Sequence, residues 1–251
     1  MVRLLDKAIR GTMRRVRDRG VRHAFRWVGH HVYERYRERR LGVETARYDE
    51  WKGSVDKDEC HDYEPLAYAC IERGLDLLTM RPGEDVLLDY GCGKGRAVVV
   101  AAARPLRKVI GLDVVEPLVR AARENVERAR PQLQCRDVAI VAADATQYTL
   151  PPEVTVIYMY NPFWGETLRQ VQQRIEQSLR AAPRRLRIVY MLNADQNDAF
   201  QNCDWLHRTH DDPDFWENVR CVIYESRPTD VADDRGERRP QASFTKPGGK
   251  P

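Results

Sequence analysis

The stretch Asp85-Val86-Leu87-Leu88-Asp89-Tyr90-Gly91-Cys92-Gly93-Lys94-Gly95-Arg96-Ala97-Val98-Val99-Val100-Ala101-Ala102-Ala103 decides how the rest of the chain is read. Val86 to Leu88 is a short apolar run closed by Asp89, the pattern of a buried parallel strand. Gly91, Gly93 and Gly95 follow at alternating positions, and then an Ala/Val run small enough to lie close against a sheet. Strand, glycine turn and helix make a unit that cradles a nucleotide. Glycine lets the backbone approach a ligand, and the helix start offers free N–H groups. Two common versions of this unit do not fit. The dinucleotide fingerprint wants a small residue three positions after its second glycine, and Arg96 stands there. A phosphate-binding P-loop wants glycine at the position of Leu88 and Ser or Thr at that of Gly95.

Strands and helices alternate downstream. Lys108-Val109-Ile110-Gly111-Leu112-Asp113 reads as a second strand ending in an acid. A carboxylate at this point can accept hydrogen bonds from both hydroxyls of a ribose. A lone Asp could also cap a helix, but Asp113 stands too far from Pro117 to be the N-cap of the helix that Pro117 opens and Pro131 ends. Residues 138–141 form a third strand leading to Ala143-Asp144-Ala145, and residues 154–160 a fourth that runs into Asn161-Pro162-Phe163-Trp164. A helix over 166–182 and a fifth strand over 186–192 follow, the latter ending at Asn193. Two more strand-like runs, 205–210 and 220–225, are separated by Asp211-Asp212-Pro213-Asp214. His207 and His210 could serve as bases, but strand histidines far from any motif are more often structural. Upstream, Pro65 is expected to open a helix that continues through Cys70, Leu75 and Leu78.

The pattern Asp-x-Gly-x-Gly-x-Gly after a strand, followed in order by Asp113, Asp144-Ala145 and Asn161-Pro162-Phe163-Trp164, resembles the class I S-adenosylmethionine (SAM) methyltransferases. The resemblance implies an α/β, Rossmann-like, seven-stranded and mostly parallel sheet with helices on both faces and a terminal hairpin. It also implies SAM as cofactor, bound by Asp89, Gly91, Gly93, Gly95, Asp113, Asp144 and Ala145, with the Asp144 carboxylate taking the adenine amine. The Asn161 tetrapeptide is similar to the Asn/Asp-Pro-Pro-Tyr/Phe loop of amino-group methyltransferases, one proline short, and to the Asn-containing loop of the non-SET lysine methyltransferases. Tyr63-Glu64-Pro65 resembles the Tyr-x-Pro segment that closes over the cofactor in those lysine methyltransferases and in the related enzymes that modify the ATP synthase c subunit. From Leu41 to about Asn193 the chain is similar to a bacterial group of class I methyltransferases, which usually carry Asn-Pro where this chain has Asn193-Ala194.

Chemistry gives the tetrapeptide a reason. Methyl transfer to nitrogen needs a lone pair aimed at the sulfonium methyl, and an Asn carbonyl with a nearby backbone carbonyl can fix that aim. An aromatic wall stabilises a cationic amine and excludes water. The expected catalytic group is Asn161 and Phe163, with Tyr63 added by the Tyr-x-Pro resemblance, and Asn161 and Tyr63 also touching cofactor. The expected acceptor is an amine, a protein lysine among the candidates. Desolvation can lower an amine pKa, leaving water or Tyr63 to take the proton. The alternative reading is that Asn-Pro merely ends a strand, a common turn signal. Two other functions stay open: a small-molecule O-methyltransferase, which needs no amine-orienting Asn, and a non-catalytic SAM-fold binding protein whose basic arm docks a partner.

Hydrophobic residues make up 42% of the 251, a globular composition. Six cysteines are scattered, none in Cys-x-x-Cys pairs or at zinc-like spacing to a histidine, which suggests a reducing compartment, no disulfide framework and no metal site. With no apolar run of membrane-spanning length and no secretory signal pattern, the expected location is cytoplasmic. The net charge of +4 is uneven, with +7 in residues 1–50 and −3 beyond. Leu5, Ile9, Met13 and Val16, then Phe25, Val28, Val32 and Tyr36, make two amphipathic helical runs parted by Gly20 and flanked by arginines. That arm could meet an acidic partner, an anionic membrane surface or nucleic acid, or pack on the domain with its basic face in water. The expected organisation is a basic helical extension over 1–50, a methyltransferase domain over 51–226, and a disordered tail over 227–251.

Overall fold

Leu87 and Leu88 are neighbours in sequence and belong to different hydrophobic cores. A strand with apolar side chains on both sides needs cover on both faces, which is why the run shows no polar alternation. The computed structural model of the protein describes residues 21–46, 59, 60 and 63–227. Among them, α1 (Val21–Leu41) and α2 (Tyr68–Asp76) precede the alternating region. This comprises β1 (Val86–Tyr90), α3 (Arg96–Ala102), β2 (Lys108–Asp113), α4 (Glu116–Ala129), β3 (Val138–Ala142), β4 (Val156–Tyr160), α5 (Gly165–Ala181) and β5 (Arg187–Asn193). The hairpin β6 (Leu206–Trp216) and β7 (Val219–Ser226) follows.

The strands form one sheet in the order β3-β2-β1-β4-β5-β7-β6. The first five are parallel, and β7 enters antiparallel between β5 and β6. One face buries Leu87, Val109, Val156 and Val189 under α2, α3 and the end of α4. The other buries Leu88, Ile110, Ile157 and Ile188 under Leu168, Val171, Ile175 and Leu179 of α5. The expected seven-stranded, Rossmann-like architecture is what the chain adopts. No helix among the described residues is long and apolar enough to cross a membrane.

Two local expectations are corrected. Asp211-Asp212-Pro213-Asp214 does not separate two strands; it lies inside β6, and the turn comes at Glu217-Asn218. Strand β6 is at the sheet edge, where a proline's missing N–H costs little, and the register shifts between Asp212 and Trp216. Pro65 does not open a helix either. Helix α2 starts at Tyr68, and Pro65 lies in extended chain ahead of it. The first amphipathic run of the N-terminal arm and the tail beyond residue 227 lie outside the described residues.

Helix α1 packs on the domain through its acidic side. Arg96 Nη1 donates to Glu34 Oε2 at 2.6 Å and to the Leu66 carbonyl at 2.9 Å, while its Nε donates to Thr45 Oγ1 at 2.7 Å. Glu38 accepts the N–H and hydroxyl of Thr45. Arg37 pairs with Glu72 at 2.5 Å.

The sheet's opposite end is pinned by a buried carboxylate. Asp85 receives the Arg81 N–H at 2.7 Å, the Thr155 hydroxyl at 2.8 Å and Arg187 Nη2 at 2.8 Å. Burial pushes its pKa up, but these hydrogen bonds outweigh that and hold it at about 2. A depressed folded pKa contributes stability that is full above the unfolded value near 4 and is lost as pH falls towards 2. From one such group this is about 2 kcal/mol. Asp85→Ala strands the Arg187 charge and should cost about 3–5 kcal/mol at pH 7. In urea unfolding that cost should shrink as pH drops from about 4 towards 2. A cost independent of pH would contradict the assignment.

Candidate active site

Strand β1 has β2 on one side and β4 on the other, so the chain's crossovers diverge there and open a crevice at the carboxyl ends of β1 and β4. The glycine turn is clamped to the tip of β2. Gly91 and Cys92 both donate their N–H to the Leu112 carbonyl at 2.9 Å. Gly93 donates to Asp113 Oδ2 at 2.8 Å, and Val115 to Asp113 Oδ1 at 2.9 Å. Asp113 is thus not the cap of α4, as expected, but it fixes the residue that is. Gly91 and Gly93 are left-handed, at φ 71° and 53°. A Cβ on Gly91 would lie 2.5 Å from Pro162, and one on Gly93 2.3 Å from the Tyr63 ring. These two glycines let the loop after β4 and the segment before α2 close onto the turn. Gly95 forms the N-cap of α3 and faces Ala122, away from the cavity lining.

Asn161 follows β4 directly in a left-handed conformation, φ 39°, which Asn tolerates better than most residues. Its N–H donates to the Met191 carbonyl at 2.9 Å, tying the turn to β5. Phe163 is buried, edge-to-face against Tyr90 with ring centroids 6.4 Å apart, and pairs with Cys60 in an isolated antiparallel bridge. Helix α5 has no side-chain cap of its own at Trp164. Glu59 supplies one: its carboxylate accepts the Thr167 N–H at 2.6 Å, and its carbonyl accepts that of Trp164 at 3.1 Å. The N–H groups of Thr167 and Glu166 hold the Glu59 carboxyl below its usual range.

Tyr63 donates its hydroxyl to the Thr45 carbonyl at 2.7 Å, and burial pushes its pKa upward. Of the two expected proton acceptors, water or Tyr63, the Tyr63 hydroxyl is engaged as a donor, and its ring is the part facing Gly93. Lys94 Nζ sits 5.3 Å from the centre of that ring.

A cavity of about 380 Å³ lies between these elements. Asp89, Asp113, Asp144 and Ala145 line one part, and Glu64, Tyr160, Asn161, Phe163, Thr167 and Asn193 another. Tyr63, Gly91 and Gly93 complete it. Of the expected site residues, Gly95 alone is outside this lining. Burial and the Asp113 charge push the Asp89 pKa well up. Burial also raises Asp113, partly offset by the N–H groups of Val115, Gly93 and Val114. Asp144 Oδ1 accepts the Thr146 N–H and hydroxyl at 2.9 and 2.8 Å, fixing the turn that presents Ala145. A cation in this cavity would favour the charged forms of Asp89 and Asp113, against the effect of their burial. His207 and His210 stand on the edge strand, away from it. Sequence reasoning missed Glu59, Tyr160 and Thr167, and saw in Arg96 only a misfit. A lone charge at the head of an Ala/Val helix was the available signal for Arg96; Glu59 carried none.

Residues 87–182, from β1 through α5, match a family described as a methyltransferase domain. Nocamycin O-methyltransferase from Saccharothrix syringae is 43% identical over 84 residues, 32% of this chain and 28% of that protein. Ribosomal protein L11 methyltransferase from Burkholderia cenocepacia is 40% identical over 55 residues, 22% and 18% of the two chains. The chain thus spans less than a third of the length of these curated relatives. Among solved structures, an RNA methyltransferase from Salinibacter ruber in complex with S-adenosyl-L-homocysteine covers 69% of this chain and 100% of its own, at 20% identity and a TM-score of 0.47.

The packing of Tyr63 on Gly93 has a measurable signature. Gly93→Ala should destabilise the protein by more than about 1 kcal/mol in urea unfolding, because it combines a strained φ with a clash. Removing the ring should relieve the clash, so Gly93→Ala with Tyr63→Ala should be less damaging than the two single costs added, by about 1 kcal/mol or more. Strict additivity would mean that the ring does not rest on Gly93.

Proposed function

We propose that this chain, whose residues 87–182 match a methyltransferase domain, is a class I methyltransferase that transfers a methyl group from SAM to an amine nitrogen. The residues present suit that cofactor. Four acidic residues, Glu64, Asp89, Asp113 and Asp144, line the cavity, beside a glycine turn packed too closely against Pro162 and Tyr63 to admit a Cβ. Asp113 would hold the ribose, Asp144 and Ala145 the adenine, and Asp89 with Gly91 and Gly93 the amino-acid end. When bound, SAM supplies an electrophilic methyl on sulfur, open to in-line displacement.

The observation that carries the amine reading is Asn161. Its backbone is fixed by the Met191 carbonyl in a left-handed turn at the end of β4, and its residue lines the cavity together with Phe163. A side-chain carbonyl held there can accept an N–H of the acceptor and aim its lone pair. Phe163 and the Tyr63 ring exclude water, which favours the neutral amine. Burial and the Glu64 charge push the Tyr160 pKa to about 12, so at neutral pH it donates and does not act as a base. Water, one of the two expected acceptors, would take the released proton. A second reading, transfer to oxygen, is favoured by the likeness to nocamycin O-methyltransferase.

Radiolabelled methyl transfer into fractionated proteins and metabolites, with identification of the methylated atom by mass spectrometry, separates the readings. Asn161→Ala should leave affinity for SAM within a few-fold and lower turnover by about a hundredfold or more. Unchanged turnover would remove Asn161 from the reaction, and an oxygen-methylated product would replace the amine.

A further inference from the structure

Helix α1 has a second face, turned away from the other described residues and exposed. Val28, Val32 and Tyr36 stand one turn apart and are 38%, 63% and 51% exposed. They are three of the six exposed large hydrophobic side chains among the described residues, so the exposure is concentrated on one helix. Arg35, Arg39 and Arg40 are exposed beside them, and Arg40 Nη1 donates to the Tyr36 hydroxyl at 3.1 Å.

The distribution of acid is what gives this face its character. Glu34 and Glu38 are turned inward, onto Arg96, the Tyr68 N–H and Thr45. Packing the helix on the domain therefore consumes its carboxylates, and the exposed helical positions from 28 to 40 hold three arginines and no acid. We propose that this outward face lies on an anionic lipid surface. Arginines meet the headgroups while their stems and the Val28-Val32-Tyr36 stripe enter the interface. Nucleic acid would use the arginines but gains nothing from two valines, since phosphate contacts are ionic and base stacking needs aromatic faces. Self-association would set like charges against each other.

Sedimentation of the full chain with vesicles tests this. The protein should bind phosphatidylcholine vesicles containing phosphatidylglycerol, bind pure phosphatidylcholine far less, and be released when salt rises from about 0.1 M to about 1 M. Replacing Arg35, Arg39 and Arg40 together by serine should weaken binding by about a hundredfold. Val28→Asp with Val32→Asp should weaken it by at least about tenfold. All these side chains are exposed, and circular dichroism and thermal melting check that the variants fold; Val32→Ser serves if the double variant does not. Absence of vesicle binding overturns the proposal. So does binding that the valine changes leave intact, which would assign it elsewhere in the chain. Tighter binding to duplex RNA, weakened by the arginine changes and not by the valine changes, would replace the lipid with nucleic acid.

Discussion

One carboxylate holds the crevice together. Asp113 accepts the Gly93 N–H with one oxygen and the Val115 N–H with the other, so the turn after β1 and the turn after β2 share a single anchor. With Gly91 and Cys92 on the Leu112 carbonyl, the glycine turn has no freedom to drift from the sheet. That immobility is what allows Pro162 and the Tyr63 ring to rest on backbone where any side chain would collide. The proposed cofactor contacts and the loop geometry thus rest on the same residues, and a change at Asp113 would act on both.

Arg96 extends this anchoring outward. It follows the glycine turn directly, is almost fully buried, and stacks on the Tyr68 ring 4.3 Å away. It binds Glu34 of α1 and the hydroxyl of Thr45, and the Thr45 carbonyl takes the Tyr63 hydroxyl. A continuous set of hydrogen bonds therefore joins α1 to the wall of the cavity. Removing any one member leaves buried charge or a buried polar group unmatched, the costly side of such networks. The N-terminal helix is in this sense a support for the site as well as an extension of the chain.

The sheet was legible because each parallel strand is a short apolar run bounded by turn residues, and because residues 86–90 and 108–113 leave no competing helical period. That Gly91, Gly93, Asp113 and Asp144 share one cavity was legible for a different reason: they belong to local strand–turn units. What escaped was long-range. Glu59 caps α5 from more than a hundred positions away, and Arg96 meets Glu34 across 62. No periodicity or spacing encodes such pairings. Pro213 misled because a proline argues against a strand only where its N–H would be needed, and edge placement is a property of the whole sheet.

The central claim is that the clamped glycine turn, with Arg96 behind it, makes a site for a single sulfonium nucleoside and not for a dinucleotide. Isothermal titration calorimetry with S-adenosylhomocysteine and with NAD tests it most directly. The account predicts saturable binding of S-adenosylhomocysteine and none of NAD. Binding of NAD in the absence of binding by S-adenosylhomocysteine would contradict it.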